Sequence, residues 1–150
     1  MKKLLCVLIA TVCAVLFCGC GMMEALFETQ SLKERAEKHL EISLADATVL
    51  EEWDNHGGFH GDGETFVKLS CTDGFEERLG SDWQALPLEG SAYQYFYEWG
   101  GVLEDPETGA DLIPEIEHGY WFYRDTGPMN WDLAIYDCNE NILYYYEFDA

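Results

Sequence analysis

From Gly119 onward the chain can become little other than an antiparallel sheet. Three runs, Gly119–Arg124 (GYWFYR), Trp131–Tyr136 (WDLAIY) and Ile142–Phe148 (ILYYYEF), are dominated by aromatic and aliphatic side chains that suit a pleated, half-buried strand. Short polar spacers separate them: Asp125 to Asn130, which holds Gly127-Pro128, and Asp137 to Asn141. Strands joined by turns this short pair with their neighbours, so a three-stranded meander is expected.

The rest of the chain supplies partners for that meander. Thr48–Trp53 (TVLEEW) and Glu64–Cys71 (ETFVKLSC) read as two further strands, joined by a glycine-rich loop from Asp54 to Gly63. Ser31-Leu32-Lys33-Glu34 fits a capping box, and Leu32, Ala36 and Leu40 then recur every four residues. This predicts a helix over 31–41 that lays one apolar stripe on the sheet. Thr72-Asp73-Gly74 reads as a turn, Phe75–Leu79 as a single helical turn and Trp83–Leu88 as an apolar crossing segment. Ser91-Ala92-Tyr93-Gln94 offers a second capping box for a short helix ending at Gly100-Gly101; the alternation of Tyr93, Tyr95 and Tyr97 would suit a strand instead. The expected class is α+β: an N-terminal helix packed on an antiparallel sheet of about five strands, in one domain over residues 31–150.

The other end of the chain speaks to address. Met1-Lys2-Lys3 is basic, Leu4 to Phe17 is apolar, and Cys18-Gly19-Cys20 closes the run. The apolar stretch falls short of the roughly 20 residues that span a bilayer, and suits the core of a secretory signal peptide. Gly19 places a small residue directly before Cys20, as a lipoprotein peptidase requires, whereas bulky Phe17 precedes Cys18. Phe17 also stands where such sites usually carry Leu. The reading is a signal peptide over residues 1–19, lipidation at Cys20, and a short tether over residues 20–30. Two acyl chains on one residue hold a protein stably at a membrane.

The formal net charge of −21 becomes more negative still once Lys2 and Lys3 are removed. That excludes nucleic acid, whose phosphates demand clustered Lys and Arg. It favours cations or basic protein surfaces as partners, and it also keeps an exported domain soluble. Of the cysteines outside the leader and the acylated position, Cys71 and Cys138 remain. An exported pair invites a disulfide. Strand parity argues the other way: Cys71 shares a face with Val67 and Leu69, whereas Cys138 lies opposite Leu133 and Ile135 or already in the turn, so if both aliphatic faces meet one core the sulfurs would point apart.

Two regions could carry function. The loop Asp54-Asn55-His56-Gly57-Gly58-Phe59-His60-Gly61-Asp62-Gly63-Glu64 gathers imidazoles and carboxylates, the donor types for a divalent metal, with His56, His60, Asp62 and Glu64 as candidate ligands. The same composition also suits a solvated hairpin tip. The second region is the aromatic meander, where Tyr120, Phe122, Tyr144 and Tyr146, with Phe59 from the loop, could line a platform for a glycan or peptide unless other segments cover it. No Gly-x-Ser-x-Gly or His-Glu-x-x-His pattern is present, and Cys71 reads as an inert core thiol.

Taken together, Gly57-Gly58-Phe59-His60-Gly61-Asp62-Gly63, Trp83 with Leu86-Pro87-Leu88, Ile113-Pro114-Glu115-Ile116-Glu117-His118-Gly119-Tyr120, Leu133-Ala134-Ile135-Tyr136-Asp137 and Leu143-Tyr144-Tyr145-Tyr146-Glu147 resemble an uncharacterised group of small membrane-anchored proteins of Gram-positive bacteria. The resemblance covers most of the chain after Thr48. It implies the outer face of the plasma membrane and sparing use of disulfides, and it assigns no catalytic residue. Where that group places Asp-Arg after the aromatic strand, this chain has Arg124-Asp125, so no role carries over to that pair. The leading expectation is therefore a lipid-anchored, extracytoplasmic protein without enzymatic activity, binding a cation, glycan or protein. The rival is a metal-dependent enzyme that uses His56, His60 and Asp62, with Glu64 as base.

Overall fold

The computed structural model describes residues 30–57, 62–94, 109, 111–127 and 129–150. The leader, Cys20 and the tether, Phe59, His60 and the end of the second helix at Gly100-Gly101 lie outside these residues. Ser31–Ala150 forms one compact unit. It is mixed α+β and mostly sheet.

Helix α1 (Leu32–Leu40) starts at the capping box: Glu34 N–H donates to Ser31 Oγ at 3.2 Å, and Ser31 N–H donates back to Glu34 Oε2 at 3.0 Å. Two of the helix's four orphan donors are satisfied in this way. The helix ends where Glu41 enters the left-handed region at φ 55°. Ala36 and Leu40 are buried, and Leu32 packs beside them.

Strands β1 (Thr48–Asp54) and β2 (Gly63–Ser70) form a hairpin. A 3-10 turn, Phe75–Arg78, leads to the two-residue strand β3 (Gln84–Ala85). After the short helix α2 (Gly90–Tyr93) come β4 (Gly119–Gly127), β5 (Asn130–Asp137) and β6 (Ile142–Asp149). The order across the six-stranded sheet is β1-β2-β6-β5-β4-β3, and every pairing is antiparallel. The meander thus sits in the middle, the hairpin joins it through β2 and β6, and Trp83–Leu88, expected only to cross, adds an edge strand. α2 also departs from its expected start. Glu89 is its N-cap without any side-chain bond, and Ser91 lies inside the first turn.

Both faces of the sheet are covered. On the α1 side, Val67, Leu69, Phe122, Ala134, Tyr136, Leu143 and Tyr145 pack against Ala36, Leu40, Ile42, Leu44, Phe75 and Trp83. On the other side, Phe66, Trp121, Trp131, Leu133, Ile135, Tyr144 and Tyr146 lie under Leu88, Ala92, Leu112 and Ile113. Central β5 is consequently buried along nearly its whole length, although its sequence is not uniformly apolar. Outer strand β1 differs: Glu51, Glu52 and Asp54 are exposed, and a bulge interrupts its register between Val49 and Glu51. Charge and a bulge on an edge strand discourage further pairing.

Candidate functional site at one end of the sheet

The covered faces change the aromatic candidates. Tyr120 and Phe122 belong to the α1 side, while Tyr144 and Tyr146 belong to the opposite side. Phe122, Tyr144 and Tyr146 are buried, and Tyr120 is half-buried. The expected platform is a pair of cores, because Leu88, Ala92, Leu112 and Ile113 occupy the second face.

The two cysteines are also placed differently from the parity expectation. Leu133 and Ile135 point away from α1, whereas Val67 and Leu69 point toward it. Cys71 and Cys138 therefore meet the same core, against the parity expectation, yet both are free thiols. Burial pushes the Cys71 thiol up to about 12. Burial and a hydrogen bond with Glu76 push Cys138 up to about 11.

At the hairpin end of the sheet a polar row crosses five strands. Asp54 pairs with Thr65, Thr65 with Glu147, Glu147 with Asp132, and Asp132 with Arg124. Cross-strand partners share a face, and this one lies under the polar flank of α1. Arg35 and His39, four residues apart, reach down from the helix. Arg35 Nε lies 2.9 Å from Glu147 Oε2, and its Nη1 lies 3.5 Å from Asp54 Oδ2. His39 Nδ1 lies 3.1 Å from Asp132 Oδ1. Arg124 donates to Asp132 Oδ2 from Nε at 3.1 Å and Nη2 at 2.8 Å. The Tyr145 hydroxyl sits among His39 Nδ1 at 2.8 Å, Asp132 Oδ1 at 3.0 Å and Glu147 Oε2 at 3.3 Å.

Asp132 is 1% exposed and Glu147 4%, so these carboxylates depend on such partners. Their titrations diverge. Burial opposes the Asp132 charge, but hydrogen bonds from His39 and Arg124 outweigh it and hold the pKa below the ordinary aspartate value. For Glu147 burial dominates over Arg35 and His39 and raises the pKa.

His56 joins this row from the hairpin loop. Its backbone N–H donates to Asp54 Oδ1 at 2.8 Å, and its ring Nδ1 lies 2.7 Å from the same oxygen. The ring lies close over β2, which requires Gly63: a Cβ there would come within 2.4 Å of His56 Cα. His56 Nε2 is buried, has no hydrogen-bond partner among the described residues, and stands 3.5 Å from Asp149 Oδ2.

The metal set expected from the loop does not assemble among its described members. Adjacent strand residues point to opposite faces. Glu64 therefore lies across the sheet from Thr65 and His56, where it bonds with Asn55. Asp62 lines a shallow hollow with Asn55, Glu64 and Phe148. Two other groups bring a histidine and two carboxylates within 4.8 Å of one another: His39, Asp132 and Glu147, and His56, Glu147 and Asp149. Sequence reading missed His39, Asp132, Glu147 and Asp149. The available signal was a carboxylate interrupting an otherwise apolar strand, at Asp132 and again at Glu147.

A separate hollow of about 430 Å³ is lined by Leu40, Glu41, Arg78, Trp83, Phe122 and Arg124. Its two guanidinium groups are already engaged, Arg78 by Asp46 and Arg124 by Asp132.

Neither a family model, a curated protein nor a solved structure matches this chain. Among the described residues no helix is long and apolar enough to cross a membrane.

Proposed function

We propose that the chain is a lipid-anchored extracytoplasmic protein whose Ser31–Ala150 unit serves as a binding domain and not as an enzyme. The carrying observation is the leader: a basic start, an apolar run too short to span a bilayer, and Cys20 behind a small residue. A folded unit that starts at Ser31, soon after that cysteine, suits a domain held close to the membrane. With both sheet faces closed, the polar end formed by α1, the hairpin and the end of β6 is the region that supports ligand binding. The enzyme reading loses support where Glu64, its expected base, lies on the other side of the sheet from His56.

Labelled palmitate and intact-mass measurement test the anchor. The chain should incorporate label and start at an acylated Cys20; Cys20→Ser should abolish labelling, and Cys18→Ser should leave it. A native chain intact from Met1 and free of fatty acid would overturn the proposal.

A further inference from the structure

We propose that His56, Glu147 and Asp149 form a binding site for a first-row divalent transition ion. Asp54 Oδ1, 2.7 Å from Nδ1, holds the ring in place. The opposite nitrogen, Nε2, is buried, has no hydrogen-bond partner among the described residues, and faces Asp149 Oδ2 at 3.5 Å. A histidine held by a carboxylate through one nitrogen while the other faces outward is the usual orientation of a metal-ligating imidazole.

Distance agrees. Two donors each about 2.1 Å from an ion in tetrahedral geometry stand about 3.4 Å apart. The His56–Asp149 separation is 3.5 Å, and Glu147 brings its donor within 4.8 Å of both. Arg35 Nε holds Oε2 of Glu147 at 2.9 Å, and Oε1 stands 4.0 Å from His39 Nδ1. Charge agrees as well. Asp54, Glu147 and Asp149 meet one guanidinium, Arg35, which leaves two negative charges for a divalent ion to neutralise. Asp132 does not add to this balance, since Arg124 is paired with it.

Donor chemistry sets the class of ion. One imidazole and two carboxylates suit zinc, manganese or iron(II) in preference to calcium or magnesium, which take oxygen ligands alone. Three protein ligands leave at least one position open for water or for a group on a partner. Gly63 belongs to the device, because any side chain at that position would push His56 off the sheet.

This inference deepens the reading of the polar end as the binding region but is independent of the lipid. The test uses full-length protein in detergent, without a histidine tag, titrated with Co²⁺ and Zn²⁺. One equivalent of Co²⁺ should produce visible d–d absorption, and Zn²⁺ should displace it and raise the Tm. Replacing a positioning group such as Asp54 typically weakens a metal about 10–100-fold, and His56→Ala and Asp149→Asn should each cost at least as much. The metal-free Tm of each variant, read beside its affinity, separates lost binding from lost folding. Asp62→Asn should bind like the unchanged protein. No absorption at millimolar Co²⁺, or equal affinity in His56→Ala, would overturn the site. Binding that survives Cys20→Ser would separate this result from the fate of the anchor.

Discussion

At the scale of single residues, two positions show how closely chemistry follows local packing. Gly63 has no side chain because His56 occupies the space a methyl would take, 2.4 Å from its Cα. Gly63→Ala should therefore lower stability by about 1–3 kcal/mol, the usual cost of overpacking, read as a shifted urea midpoint. An unchanged midpoint would mean that the loop relaxes freely. The cysteines make a second case. The thiolate is the nucleophile, and burial raises both groups, Cys71 to about 12 and Cys138 to about 11. Iodoacetamide at pH 8 should accordingly modify both at least about tenfold more slowly in the native protein than in guanidinium. Rapid native labelling of Cys71 would contradict its burial.

Elements differ in how plainly the sequence announces them. α1 is readable because its cap and its apolar stripe are local: Ser31 and Glu34 need only each other. Ser31→Ala should cost about 1 kcal/mol, measurable as a lower Tm. The three meander strands are readable for the same reason, their side chains favouring the strand wherever it packs. β3 is not. Two residues carry no periodicity, and Gln84 and Ala85 become strand only because β4 offers Trp121 and Tyr120 as partners. The aromatic faces misled for a related reason. Alternation tells which residues share a side but not what will cover it, and Leu88, Ala92, Leu112 and Ile113 lie outside the strand runs of the meander and the hairpin. The polar row was hidden more deeply. Asp132 and Glu147 are 76 or more positions from Arg35, His39 and His56 in sequence, and only pairing β6 between β2 and β5 brings them together. Tyr145→Phe tests that row. It removes the hydroxyl shared by Asp132, Glu147 and His39, and should destabilise by about 1–3 kcal/mol as buried acceptors lose a donor.

For the whole molecule the excess of acid sets the pH response. Arg78 donates to both oxygens of Asp46 at 2.6 Å, with Thr72 at 2.9 Å, and these bonds hold the Asp46 carboxyl well below the ordinary aspartate range. A carboxyl depressed in the fold binds fewer protons there than in the unfolded chain. Its contribution is present above the unfolded pKa, near 3.8, and is lost as pH falls below that value. Denaturation midpoints should thus drop as pH falls below about 4, and less steeply in Arg78→Gln. Salt should weaken the difference, since the pair is exposed.

Crowding at a surface gives the outer strand its consequence. Copies held by the proposed lipid anchor would meet side-on at high local density, where one sheet can extend another into a fibre. Here the approaching margin bristles with Glu51, Glu52 and Asp54 and carries a kink, while the far margin is only two residues wide. Neighbours would repel and fall out of step before a shared ladder could grow.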